Sequence, residues 1–153
     1  MEITDKVIYI SRQMPCPVEL LWEKWTTNEG IKSFFAADSN IELKINGKYE
    51  IYFSTDAPLG SRGSEGCRIL AYEPKRQLVF SWNAPPVFEN IRNGDYYTWV
   101  VLQFNSLSDG NSLFELTHAG WPLGEDWDKV YDYFTKAWNS VTLWLYDSLL
   151  SST

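Results

Sequence analysis

At 153 residues, with 44% apolar and 22% charged side chains, the chain has the length and composition of one globular domain with a full core. A net charge of −7, an isoelectric point near 4.7 and scattered basic residues argue against a nucleic-acid partner, whose phosphates need clustered Lys and Arg. No apolar run reaches the ~18 residues of a membrane span, and MEITDKVIYI lacks a basic stretch ahead of an apolar signal core, so a cytoplasmic protein without membrane contact is expected.

KVIYISRQ, Lys6 to Gln13, reads as a strand, and Pro15 and Pro17 then punctuate the chain and open a helix. In PVELLWEKWTT the apolar positions Val18, Leu21, Trp22 and Trp25 share one helical face. Asn28 is the expected cap of a second short helix that offers Ile31, Phe34 and Phe35 to the core. From Ser39 to Ala119 the period becomes two. GKYEIYFS, QLVFSW, TWVVLQF and LFELTH alternate apolar and polar positions, GCRILAY could face either way, and ING, EPKRQ and SDGN suit hairpin turns. An antiparallel meander is implied. Two connections exceed what a hairpin needs: STDAPLGSRGSEG, 54–66, and NAPPVFENIRNGD, 83–95. The last element is a long helix, EDWDKVYDYFTKAWNSVTLWLYDSLL, whose Trp127, Val130, Phe134, Trp138, Val141, Leu145 and Leu149 form one stripe. Glu125 and Asp126 suit the positive end of its dipole, whereas Asp147 opposes the other end. Leu143 and Trp144 lie off the stripe, which suits either a homodimer contact or cover by neighbouring loops.

A strand, two helices, a six-strand meander and one long amphipathic helix imply an α+β fold with the sheet curled around the final helix. Such a sheet cannot close perfectly on one helix, so a gap between the concave face and the stripe is the expected cavity.

Four segments, in order, carry a resemblance that covers nearly the whole chain. MPCPVELLWEKWTTNEGIKSFF resembles the opening of START-like (SRPBCC) domains, in the branch related to the C-terminal domain of the activator of the heat-shock protein 90 ATPase. INGKYEIYF, GCRILAYEPKRQLVFSW and FELTHAGWP are similar to that branch's Gly-aromatic strand, its acidic-Pro hairpin ending in Trp, and its Thr-His-x-Gly segment before the last helix. The resemblance implies a single START-like domain over 1–153 with the helix-grip fold. In that fold a seven-stranded antiparallel sheet, as in birch-pollen-allergen-like proteins, curves around a long C-terminal helix, and two short helices follow the first strand. The superfamily includes lipid carriers, hormone and allergen proteins, and cyclase or hydratase enzymes, so it does not by itself choose a function. The chaperone activator has a further N-terminal domain without counterpart here, so stimulation of a chaperone is not expected, although a chaperone-associated interaction module stays among the alternatives.

Eight Trp, nine Tyr and eight Phe supply flat apolar surface suited to a ligand cavity. Strand parity offers Tyr49, Ile51 and Phe53, then Phe80 and Trp82, then Leu102, Leu116 and His118; helix phase adds Phe134 and Trp138. The expected ligand is a small hydrophobic or aromatic molecule. Arg62 and Arg92, in the two long loops, are candidates for the cavity mouth, and Arg68 lies beside them.

His118 is the only histidine. It suits either a buried ring bonded to a carbonyl or to a Trp or Tyr edge, or a general acid–base group of a cyclase- or hydratase-like enzyme. No orienting carboxylate or nucleophile accompanies it, which favours the structural role. Cys16 and Cys67 have neither disulfide-framework nor metal spacing, and no metal or cofactor is expected. A polar cluster around His118 in an open cavity would favour catalysis, an apolar cavity binding, and a filled core with an exposed apolar patch protein interaction.

Overall fold

The computed structural model describes residues 1–150; residues 151–153 of the expected single domain lie outside the described residues. The first strand, β1, runs Ile8–Met14, shifted from the expected start at Lys6. Pro17 then caps helix α1, Val18–Thr26, with φ −71 and ψ 160, a conformation that its ring and missing N–H suit. Helix α2, Asn28–Phe34, is capped one residue earlier than the sequence suggests. Thr27 keeps extended backbone and its Oγ1 accepts from the Gly30 amide at 2.9 Å, whereas Asn28 Oδ1 accepts from the Ser39 hydroxyl at 2.8 Å. Gly30 lets the two helices touch, since a Cβ there would lie 2.3 Å from the Glu23 carbonyl oxygen.

Strands β2 (Asp38–Ile41), β3 (Tyr49–Tyr52), β4 (Ile69–Glu73), β5 (Gln77–Trp82), β6 (Thr98–Ser106) and β7 (Ser112–Ala119) follow, and α4 (Glu125–Leu150) ends the described chain. All seven strands pair antiparallel, but as two ladders: a five-stranded sheet of order β1-β7-β6-β5-β4 and the pair β2-β3. A single bridge at Lys48↔Arg68 joins them, and another, Tyr52↔Gly63, ties β3 to the connection that follows it. Backbone bonds from Tyr49 N to Cys67 O and from Ile69 N to Gly47 O, both 2.9 Å, tie β3 to the segment leading into β4. That segment cannot ladder continuously. Gly66 has φ +86 and the β4–β5 register shifts between Ile69 and Ala71, a bulge that curls the sheet.

The inner face of the curl alternates as expected, with every second residue of β6 and β7 buried over most of their length. Val130, Phe134, Trp138, Val141, Leu145 and Leu149 of α4 press into it. Trp25 of α1 plugs one end, stacked on Phe114 at 5.6 Å. Tyr49 joins the two ladders: its ring stacks on Phe80 at 4.3 Å and its hydroxyl donates to the Trp25 carbonyl at 2.7 Å. Cys16 and Cys67 are buried and unpaired, and burial raises the Cys16 thiol to about 11. Among the described residues no helix is long and apolar enough to cross a membrane.

Candidate functional site

Strand parity and helix phase bring His118 of β7 against Trp138 of α4, and the polar atoms there form a closed chain. The Trp138 indole donates to His118 Nδ1 at 2.9 Å. An indole nitrogen has no acceptor, so Nδ1 is unprotonated and the ring proton sits on Nε2. That nitrogen donates to Thr98 Oγ1 at 2.7 Å, and the Thr98 hydroxyl donates to the Trp82 carbonyl at 3.2 Å. The ring is fully buried, and burial lowers its pKa to about 3. Trp121 completes the enclosure, its indole donating to the His118 carbonyl at 2.9 Å while the two rings pack 4.3 Å apart. Both imidazole nitrogens are occupied, and the ring lies behind the cavity wall.

The cavity opens beside this cluster and has a volume of ≈ 830 Å³. Its inner wall is aromatic. Trp82 and Trp138 stand 5.3 Å apart, Phe134 stacks on Trp138 at 6.2 Å, and Phe35 of the α2 end meets Trp138 edge-on at 5.9 Å. The indole N–H groups of Trp82 and Trp25 have no partner among the described residues. The outer wall consists of the two long connections, 54–66 and 83–95, of which the second contains a short helix, α3 (Glu89–Arg92), that the sequence does not announce.

Arg92 fastens these connections to each other. Its Nη1 donates to Ala84 O at 2.6 Å, its Nη2 to Gly60 O and Gly63 O at 2.7 Å each, and the same Nη2 meets Glu65 Oε1 at 3.1 Å. The Glu65 carboxylate also accepts from the amides of Arg62 and Gly63. Burial works to raise its pKa, but these amides outweigh burial and hold it below the ordinary value. Arg92 is thus a structural clasp with few donors left for a ligand. Arg62 is less committed: only its Nε is used, donating to Ala57 O at 2.8 Å.

Of the residues that the sequence offers as cavity lining, Phe53, Trp82, Phe134 and Trp138 border this space, together with Arg62 and Arg92 at its rim. Phe53 does so from the outer edge, 49% exposed, because β3 ends before it and the chain turns outward. Tyr49, Ile51, Phe80, Leu102, Leu116 and His118 do not border it. They are fully buried in solid core, where the aromatic rings of the two ladders and the α4 stripe fill the middle of the curl. Arg68 is likewise outside the lining.

Sequence reasoning missed Tyr133, Ala137, Ser140 and Trp144, which line the cavity from α4. Their spacing of three to four is itself a helical face, rotated by about 100° from the buried stripe, and the off-stripe Trp144 was its visible member. Lys129, Asp132 and Lys136 border the cavity from the same side of α4. Among the described residues no three His, Cys, Asp or Glu side chains stand close enough to hold a metal ion.

The profile of the family "Activator of Hsp90 ATPase homolog 1-like protein" matches residues 15–147. Protein MLL2253 from Mesorhizobium loti has a similar structure, with a TM-score of 0.75 and 20% identity over 97% of this chain and 98% of that one. The Aha1 dimer from Colwellia psychrerythraea superimposes with a TM-score of 0.70 and 16% identity, covering 94% and 96%. PFC0360w, an HSP90 activator from Plasmodium falciparum, does so with a TM-score of 0.68 and 19% identity, covering 90% of each chain. At these identities the likeness speaks for the helix-grip fold alone. A search of curated protein sequences gave no significant match.

Proposed function

Since the chain belongs to the family of Activator of Hsp90 ATPase homolog 1-like proteins, in the START-like helix-grip class, we propose that it is a single-domain module, 1–153, that binds a small apolar or aromatic molecule. The cavity of ≈ 830 Å³ carries this reading, because its inner wall sets two indoles and two phenyl rings around space that the core leaves unfilled. Chemistry is not part of it. The one imidazole is walled off, bonded on both nitrogens and uncharged at neutral pH. Buried, unpaired Cys16 and Cys67 suit the reducing cytoplasm to which we assign the protein.

Ala137 lines the cavity from a half-buried position on α4, so Ala137→Trp fills the space from a helical site that tolerates a larger side chain. Native mass spectrometry of the purified protein is expected to find a co-purifying molecule, or apolar aromatic probes are expected to quench tryptophan emission, and the substitution should abolish either signal with the circular dichroism spectrum unchanged. Absence of both signals in the parent protein would overturn the reading. In the same preparations the chain is expected not to raise the ATPase rate of an HSP90. Stimulation that survives Ala137→Trp would replace ligand binding with a chaperone role.

Leu143 and Trp144, 42% and 50% exposed, favour a second use of α4 as a self-association face, as the Colwellia relative is a dimer. Sedimentation of the protein and of Leu143→Glu checks it, with a shift to monomer expected only if that face is used.

A further inference from the structure

The cavity inverts the charge balance of the molecule. The chain has 13 basic and 20 acidic residues, yet the cavity is bordered by four basic side chains, Arg62, Arg92, Lys129 and Lys136, and by one acidic side chain, Asp132. These cations are not equally available. Arg92 is spent on three carbonyls and Glu65. The two terminal nitrogens of Arg62 have no hydrogen-bond partner among the described residues, since only Nε is engaged. Lys129 and Lys136, exposed and two turns apart on α4, have no ion pair or hydrogen bond there either. Asp132 stands three residues after one and four before the other without an ion pair to either. Counting Asp132 in full still leaves the mouth positive.

Unpaired cations above an aromatic floor discriminate between ligand classes. A neutral apolar molecule gains nothing from them, and an apolar cation is repelled. A carboxylate gains from the guanidinium, whose terminal nitrogens can meet both oxygens, and from the two ammonium groups. Resting on the reading of this cavity as a binding site, we infer that its ligand is an amphipathic anion. A flat apolar body lies against Trp82, Phe134 and Trp138, and a carboxylate faces Arg62, Lys129 and Lys136 at the mouth.

The matched pair 1-naphthaleneacetate and 1-naphthaleneacetamide separates charge from shape. Titration calorimetry of the whole protein at low ionic strength is expected to give the acid a roughly three- to tenfold tighter Kd than the amide, the range set by a few partly exposed charge contacts. That ratio should shrink at about 0.5 M salt, where screening acts within ~4–5 Å. Lys129→Gln/Lys136→Gln should reduce the preference, and adding Arg62→Gln should bring the two affinities together. Because Arg62 also anchors the Ala57 carbonyl, the double variant is the decisive one if the triple variant loses its circular dichroism signal. Lys44→Gln, on an exposed turn away from the cavity, should leave the ratio as in the parent protein. Equal affinities for acid and amide in the parent, or a ratio unmoved by the lysine substitutions, overturn the inference and leave the cavity reading standing. If neither probe binds, both fall.

Discussion

Folding holds the one imidazole of the chain neutral, and a proton on His118 Nδ1 would set an N–H against the N–H of Trp138. Its pKa is about 3 in the fold against an ordinary 6.5, so between those values the unfolded chain binds the extra proton. Stability from this group is complete above pH 6.5 and is lost as pH falls toward 3, with a slope of up to about 1.4 kcal/mol per pH unit. Urea unfolding at pH 7, 6 and 5 should show that slope in the parent, before most carboxylates titrate. In His118→Gln it should flatten, and equal slopes in the two proteins would mean that the ring can take a proton in place. Parity alone placed His118 on the inner face. A Trp edge was among the expected partners of its ring, but which Trp, and the Thr98 hydroxyl, were not legible, because each stands twenty residues away and meets His118 only once β6 pairs with β7 and α4 packs on the sheet.

Among the elements, the two long connections behave as one because Arg92 holds the carbonyls of Gly60, Gly63 and Ala84 at once, with only 8% of its side chain exposed. Removing it strands those carbonyls and the Glu65 carboxylate, the kind of loss that costs ~3–5 kcal/mol when a buried pair is broken. In Arg92→Ala, hydrogen exchange should speed up at the amides of residues 62–64 and of Ala84, Val87 and Phe88, while the β6–β7 ladder keeps its protection. Loss of protection across all strands alike would show instead that the clasp supports the whole fold. The long connections were visible in the sequence as excess length, and both arginines were visible in them. The clasp was not, since it is made by backbone carbonyls that carry no residue signature. Likewise the connection ending at Gly66 was visible as excess length, but the positive φ of Gly66 and the β4–β5 bulge between Ile69 and Ala71 are reported by no periodicity.

At the scale of the whole molecule the seven strands, although split into two ladders, share one core through Tyr49 of β3, which stacks on Phe80 of the five-stranded sheet and donates to the carbonyl of Trp25 in α1. One cooperative transition is therefore expected, with far-ultraviolet and near-ultraviolet dichroism melting at the same temperature. Tyr49→Phe should lower it by the loss of one buried hydrogen bond, ~1–2 kcal/mol, without separating the two signals. Separate transitions would show that β2 and β3 form a unit of their own. The sequence of elements, the gripping helix and the two short helices were legible because they follow from periodicity and turn chemistry, whereas the pairing of β1 with β7 was not. The position of the cavity was not. It depends on whether side chains from opposite walls fill the gap, and Tyr49, Phe80, Leu102 and Leu116 fill the centre while the loop end stays open. The single histidine at the back of that opening is also a built-in reporter. One imidazole gives one set of ring nitrogen resonances, and because its Nδ1 is bonded to an indole that forms the cavity wall, any molecule that moves Trp138 will shift a signal with no neighbour to overlap it.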